Sequence, residues 1–238
     1  MMMRVATWNL ERGRQSTSTI KAQQDEVERL NADVFVITEP PTVWSVSRPG
    51  VVASPPQRIG KFGPESWVAI IGEGVEPIGP LPPYERLSVA AETHIDGRHV
   101  VIYGSVLPWR AALTQAPQTG ESSAAMFQRK LADQVADVRD LLRRFPDSLV
   151  LWAGDFNQTL SGPNYGGSKA AWELIEDALD SLGMAAWNRA AAHANPGMCA
   201  IDLICGPKGR SGFAKVEVIS PRPGGRHLSD HAAYVIEV

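Results

Sequence analysis

The chain has 238 residues, of which 44% are hydrophobic and 21% charged, with a formal net charge of −3. This is enough apolar material to bury a core. The charge lacks the basic excess that commonly marks a nucleic-acid binder without excluding one, and no apolar run approaches the roughly 20 residues of a membrane span.

Met1 to Trp8 lack the basic start and long apolar centre of a signal peptide. Arg4 to Asn9 instead predict a first strand. Residues 16–31 predict a helix with a sparse apolar stripe of Ile20, Val27 and Leu30. Val34 to Ile37 is an unbroken apolar run, a strand buried on both faces, and Pro40-Pro41 ends it. A loop rich in Pro, Ser and Gly follows to Lys61, with a short strand at Val51 to Ala53, and Ser66 to Ile71 is a further strand. Asp96-Gly97 between Leu87–Ile95 and His99–Val106 predicts a tight hairpin.

Residues 121–145 predict the longest helix, with Phe127, Leu131, Val135, Val138, Leu141 and Leu142 at helical spacing. Leu149 to Trp152 predict a buried strand that stops at Gly154-Asp155-Phe156-Asn157. Gly154 suits a tight turn or the close approach of a ligand to the backbone. Asp155 and Asn157 suit turn formation and chemistry equally well. Residues 168–182 predict a helix capped by Ser168, and 183–198 an irregular section. Cys199 to Cys205 predict a strand, joined by a hairpin turn at 206–212 to another over 213–219; Ala232 to Val238 predict the last. Cys199 and Cys205 fit no zinc spacing and lie too far apart on one extended segment to bridge, so free thiols and a cytoplasmic location are expected. Hairpins mixed with helical crossovers imply an α/β architecture with two sheets stacked inside and helices outside, in one domain over 1–238.

Polar residues gather at the strand ends. Asn9, Glu39, Asp155 and Asn157 each follow an apolar strand, Asp230 and His231 precede the last one, and Asp202 sits inside the run Ala200 to Ile204. Singly, each has a structural explanation: a turn cap, a solvated carboxylate, a buried ion pair. Together, carboxylates and amides without sulfur suit a hard cation such as Mg²⁺ or Mn²⁺. A His beside an Asp, with a second Asp available, suits an imidazolium held in orientation.

Trp8-Asn9-Leu10, Thr38-Glu39, Gly154-Asp155-Phe156-Asn157, Ile201-Asp202-Leu203-Ile204 and Ser229-Asp230-His231, in this order, resemble the endonuclease/exonuclease/phosphatase superfamily. The resemblance spans nearly the whole chain. It implies a four-layered α/β sandwich, two stacked mixed β-sheets flanked by helices. It also implies metal-dependent hydrolysis of a phosphoester by in-line attack of water. Glu39 would be the main metal carboxylate, with Asn9 and Asp230 completing or buttressing the site. Asp155 would activate the water and Asn157 would hold the water or the phosphate. His231 would stabilise the transition state, with Asp202 holding His231.

The chain departs from the family at two places. The segment after the central hairpin, Leu107-Pro108-Trp109-Arg110, has no Tyr or His before the proline; Arg110 or Trp109 are the candidates for that contact, as phosphate and base or sugar partners. Met198 to Ile201 supply no aromatic before Asp202 to wall an abasic-sugar pocket. Arg226 lies in a basic rim before Asp230. A monomeric Mg²⁺- or Mn²⁺-dependent nuclease, acting on DNA more than RNA, is expected. A phosphatase or phosphodiesterase on a small or lipid-linked phosphate is the alternative, and a non-catalytic binding module the second.

Overall fold

The computed structural model describes residues 2–11, 16–41, 50–58, 64–79, 87–109 and 122–238. Among these, the strands are β1 (Arg4–Asn9), β2 (Val34–Thr38), β3 (Val51–Ala53), β4 (Gln57–Arg58), β5 (Pro64–Glu65), β6 (Val68–Gly72), β7 (Glu76–Pro77), β8 (Ser88–Ile95), β9 (Arg98–Val106), β10 (Leu149–Asp155), β11 (Met184–Ala186), β12 (Asp202–Pro207), β13 (Lys215–Ile219) and β14 (Ala233–Glu237). The helices are α1 (Thr17–Leu30), α2 (Ser123–Arg144) and α3 (Lys169–Ser181).

Two six-stranded sheets form, in the orders β13-β14-β1-β2-β6-β3 and β11-β12-β10-β9-β8-β7. Each contains a parallel pair joined through a helix: β1 with β2 through α1, and β9 with β10 through α2. Strand alternation sorts the core into three layers. Val34 and Val36 face inward, packing in one cluster with Val100, Ile102, Leu149 and Leu151 of the other sheet. Phe35 and Ile37 face outward, in a cluster with Val27 and Leu30 of α1. Tyr103, Trp152 and Leu203 face the other way, against Phe127, Leu131 and Val138 of α2 and Ile175 of α3. The layers therefore run helix, sheet, sheet, helices, the sandwich that the sequence implies.

The caps explain where the helices start. Ser16, Ser122 and Ser168 each accept a bond from a backbone N–H of the first turn. Apolar spacing describes only part of what the helices bury. α1 also buries Gln23 and Glu26, and α2 buries Lys130, Gln134 and Asp137. Two of these polar groups brace the ends of strands and the loops that leave them. Gln23 Nε2 donates to the carbonyls of Leu10 (3.1 Å) and Leu228 (2.6 Å), and Gln134 Nε2 donates to Val106 (3.0 Å).

Three expectations need correction. Residues 206–219 are not a hairpin: a 3₁₀ turn (Lys208–Phe213) carries the chain across to the other sheet, where β13 pairs with β14. β12 cannot pair with β13 because β10 and β11 already occupy both of its edges. The irregular section includes β11, which pairs with β12. Gly154 makes no turn, and the backbone that closes on it belongs to a neighbouring strand. It lies inside β10 at φ 136°, and a Cβ there would sit 2.0 Å from the Ser105 carbonyl oxygen of β9. Cys199 and Cys205 are free, as expected.

Candidate active site

The topology brings the polar strand ends to one edge. Parallel neighbours share a direction, so Asn9 and Thr38 end β1 and β2 side by side, as Asp155 and Val106 end β10 and β9. Antiparallel neighbours begin where these end: β12 opens with Asp202 directly opposite Asp155, and β14 opens just after Asp230 and His231 beside β1. All seven predicted residues lie on that edge.

Close polar contacts link six of them, and the Glu39 carboxylate adds its charge. Asn9 Nδ2 donates to Asp155 Oδ2 (3.0 Å), while the Asn157 backbone N–H donates to Asp155 Oδ1 (2.8 Å). Asn157 Nδ2 donates to the Leu107 carbonyl (2.9 Å), which ties the loop after the central hairpin to the site. Asp155 is thus a turn former and a site residue at once; its turn bond holds Asn157 in the left-handed region, φ 52°. Glu39, at the end of β2, has the same φ of 52°, a conformation uncommon outside glycine and asparagine and seen at functional positions.

On the other side, His231 Nδ1 lies 2.6 Å from Asp202 Oδ2, and His231 Nε2 lies 3.7 Å from Asp230 Oδ1. Ser229 Oγ donates to the Asn9 carbonyl (2.7 Å) and accepts from the His231 backbone N–H (3.0 Å), and Trp8 Nε1 donates to the His231 carbonyl (3.0 Å). The His231 backbone is therefore fixed to β1 from two directions. Asp202 is held likewise: Asn188 Nδ2 donates to its carbonyl (2.8 Å) and Asn188 Oδ1 accepts from Ile204 (2.9 Å).

Electrostatics follow from burial and crowding. Asp155 and Asp202 are 2% and 0% exposed. Burial pushes the Asp155 carboxyl up to about 7; the Asp202 and Glu39 carboxylates push the same way, against His231 and the Asn157 N–H. Burial alone would lower His231, but Asp202, Asp155 and Asp230 outweigh it and hold the imidazole well above its ordinary value. One acid is thus poised to take a proton near neutrality and one base is kept charged.

The donor set fits a divalent cation. It is rich in oxygen and free of thiolate. Asp155, Asp202 and His231 bring ligand atoms within 4.8 Å of one another, and Asp202 Oδ1 is buried with no hydrogen-bond partner among the described residues. Because His231 Nδ1 is committed to Asp202, this trio is arranged as a hydrogen-bonded pair facing a carboxyl, with Glu39, Asn9 and Asp230 offering further oxygens at the same edge.

The predicted substrate contacts are less concentrated. Trp109, half-buried, lines a cavity of about 500 Å³ with Pro108, Phe127, Asn164 and Lys169. Arg226 is exposed and donates to the Ser18 carbonyl. Arg110 lies outside the described residues. A cavity of about 650 Å³ lined by Asp33, Glu73, His94 and Asp96 sits at the opposite end of β2 and takes no part in the site. Sequence reading missed Ser229, Asn188 and His193. Ser229 was legible inside Ser-Asp-His; the other two gave no local signal, because loop folding alone brings them in.

No protein-family model and no curated protein matches the sequence. Solved structures do match. A 3′-5′ exonuclease (NExo) from Neisseria meningitidis is 18% identical, with 99% of each chain covered and a TM-score of 0.68. The AP endonuclease LMAP from Leishmania major is 11% identical over 100% of this chain and 87% of that one, with a TM-score of 0.69. Truncated TDP2 from Caenorhabditis elegans is 15% identical, covering 99% and 97%, with a TM-score of 0.63. The chain has the endonuclease/exonuclease/phosphatase fold.

Proposed function

We propose that this chain is a divalent-metal-dependent phosphoester hydrolase whose substrate is a nucleic-acid phosphodiester, DNA more than RNA. The observation that carries the reading is the linked array in which Asn9 and Asn157 hold Asp155 while Asp202 holds His231.

In this reading Asp155 is the general base. Its two oxygens accept from Asn9 and Asn157, which fixes the plane of the carboxylate and leaves its remaining lone pairs to take a proton from the attacking water. With a carboxyl raised to about 7, it abstracts that proton near neutral pH. Asn157 aims the water or the phosphate. His231, charged and held through Nδ1 by Asp202, donates from Nε2 to a nonbridging oxygen as negative charge builds there. Water attacks in line with the leaving oxygen, and no covalent intermediate forms on the protein. Glu39, Asn9 and Asp230 would hold Mg²⁺ or Mn²⁺, which supplies Lewis-acid stabilisation of phosphate and leaving-group charge.

The nucleic-acid reading is supported by what the structural neighbours are named for: an exonuclease, an AP endonuclease, and a NExo variant from Neisseria described as a 3′ phosphatase bound to a product DNA hairpin. Trp109 in its cavity is the candidate base or sugar contact, and Arg110 and Arg226 are phosphate contacts. A net charge of −3 favours the second reading, a phosphatase or phosphodiesterase on a small or lipid-linked phosphate. A non-catalytic module is disfavoured because every position of the array carries a competent side chain.

The deciding experiment is an activity panel with Mg²⁺ and Mn²⁺ over single- and double-stranded DNA, abasic DNA, RNA, inositol phosphates and a generic phosphodiester. Asp155→Asn serves as the control. Activity on DNA that falls steeply with salt supports the nuclease; turnover confined to inositol phosphates selects the second reading.

A further inference from the structure

The reaction proposed above makes no use of His193. This side chain is only 8% exposed and lies against the site. It belongs to a tight loop closed by bonds from His193 N to the Met198 carbonyl (2.9 Å) and from Ala200 N to the Ala191 carbonyl (2.9 Å). Tyr234 of β14 pins that loop, donating its hydroxyl to the Ala192 carbonyl (3.0 Å). The backbone carrying His193 is therefore fixed to the same sheet edge that carries His231.

The ring is fixed as well. His193 Nδ1 accepts from the Asn195 backbone N–H (2.8 Å). A backbone N–H only donates, so Nδ1 presents its lone pair and the ring is the neutral tautomer protonated at Nε2. This uncharged ring meets the His231 ring edge to face, with centroids 5.7 Å apart and planes at 68°. It also meets the Tyr165 ring, with centroids 5.1 Å apart and planes at 56°.

That arrangement addresses a need of the site. The bond from His231 Nδ1 to Asp202 holds one corner of an imidazole, about which the ring can still rock. Rocking displaces Nε2, the atom that must meet the phosphate. A bulky neutral neighbour limits the motion without setting a like charge beside the imidazolium.

We propose that His193 is a positioning residue that braces the His231 ring in line with Asp202, with Tyr165 backing it. The proposal rests on the hydrolase reading for its kinetic consequence but not for its structural one.

Two substitutions separate the ring from the turn. His193→Asn retains an acceptor for the N–H two residues on, as asparagine does in turns, and removes the ring. His193→Phe retains a ring and removes the acceptor. Bracing predicts that His193→Asn lowers kcat on the order of 10- to 100-fold, as expected for ångström-scale misplacement, with KM within about 3-fold. His193→Phe keeps kcat within about 3-fold of wild type even if the thermal midpoint falls.

The second readout is the downfield proton resonance of the His231 Nδ1–Asp202 bond, assigned by its loss in His231→Gln. It should broaden or shift in His193→Asn and persist in His193→Phe. The proposal is overturned if His193→Asn keeps wild-type kcat or resonance, or if His193→Phe loses both. The resonance is read on the protein alone. A wild type that hydrolyses no phosphoester would therefore defeat the hydrolase reading and leave the bracing tested.

Discussion

Asp155 and Asp202 stand directly opposite each other in the antiparallel β10–β12 ladder, two buried carboxyls on neighbouring strands with His231 as the counter-charge to both. A negative charge placed this way raises the proton affinity of a neighbouring acid or base. The Asp202 charge raises both the Asp155 carboxyl and the His231 imidazole. Asp202→Asn therefore lowers both, and the pH–rate profile of kcat/KM should move to lower pH on its acid and its alkaline limb together. Activity at pH 8 falls more than activity at pH 6. A profile that loses height without moving would argue against this coupling.

Replacing the proposed base separates stability from activity. Asp155→Asn should lower kcat by ~10²–10⁴-fold, the usual contribution of general-base catalysis. Its effect on stability runs the other way. The Asp155 carboxyl sits at 3.8 in its ordinary state and about 7 in the fold. The folded state thus holds the proton more tightly, and wild type loses stability as pH rises through that window. Asp155→Asn in metal-free buffer should melt above wild type at pH 8, with the gain shrinking towards pH 4. Thermal unfolding at several pH values checks the sign.

His231 also has a raised value in the fold, but as a base it gains stability in its charged form. A raised imidazole stabilises the fold below its ordinary value and loses that contribution as pH climbs through its folded one. His231→Gln should cost activity by roughly 10²–10³-fold, as loss of an electrostatic donor does, and should flatten the alkaline part of the stability profile.

Cation binding should depend on Glu39. Titrating Mg²⁺ or Mn²⁺ into wild type should raise the thermal midpoint by mass action on the folded state. Glu39→Ala should remove most of that rise, and chelation should abolish wild-type hydrolysis reversibly. An undiminished rise in Glu39→Ala would remove this residue from the metal site.

Gly154→Ala tests the strand rather than the chemistry. The added Cβ would meet the Ser105 carbonyl oxygen at 2.0 Å, from a φ of 136° that side chains avoid. About 3 kcal/mol or more of destabilisation is expected, because β9 and β10 must part. Denaturant unfolding measures it.

Much of this was legible in the sequence, for identifiable reasons. Val34 to Ile37 and Leu149 to Trp152 read as buried strands because both faces are covered, and the structure covers both. Asp96-Gly97 read as a hairpin because both residues must adopt positive φ, here 50° and 75°. The strand-end residues were visible because polar groups at the end of apolar runs stand out. What stayed hidden depends on tertiary contacts. Gly154 looked like a turn because its constraint comes from Ser105, in a strand remote in sequence. Gln23, Gln134 and Asn188 gave no signal because their partners are loop and strand carbonyls. The transfer of β13 to the other sheet was invisible because a Gly-rich link after a strand reads like any hairpin.

The two sheets also divide the labour. Glu39, Asn9 and Asp230 stand on or beside strands of one sheet, while Asp155, Asn157 and Asp202 stand on or beside strands of the other. His231 precedes β14 on the metal side, so in the proposed reading turnover needs both sheets in register while cation capture draws on one. Gly104 marks where the two meet: a Cβ there would press on Val68 at 2.8 Å, across the seam between the sheets. A wedge at that seam should spoil the alignment of the halves, so that in the proposed reading the cation-induced rise in thermal midpoint persists while kcat falls. In that reading, activity gauges how two plates are spaced.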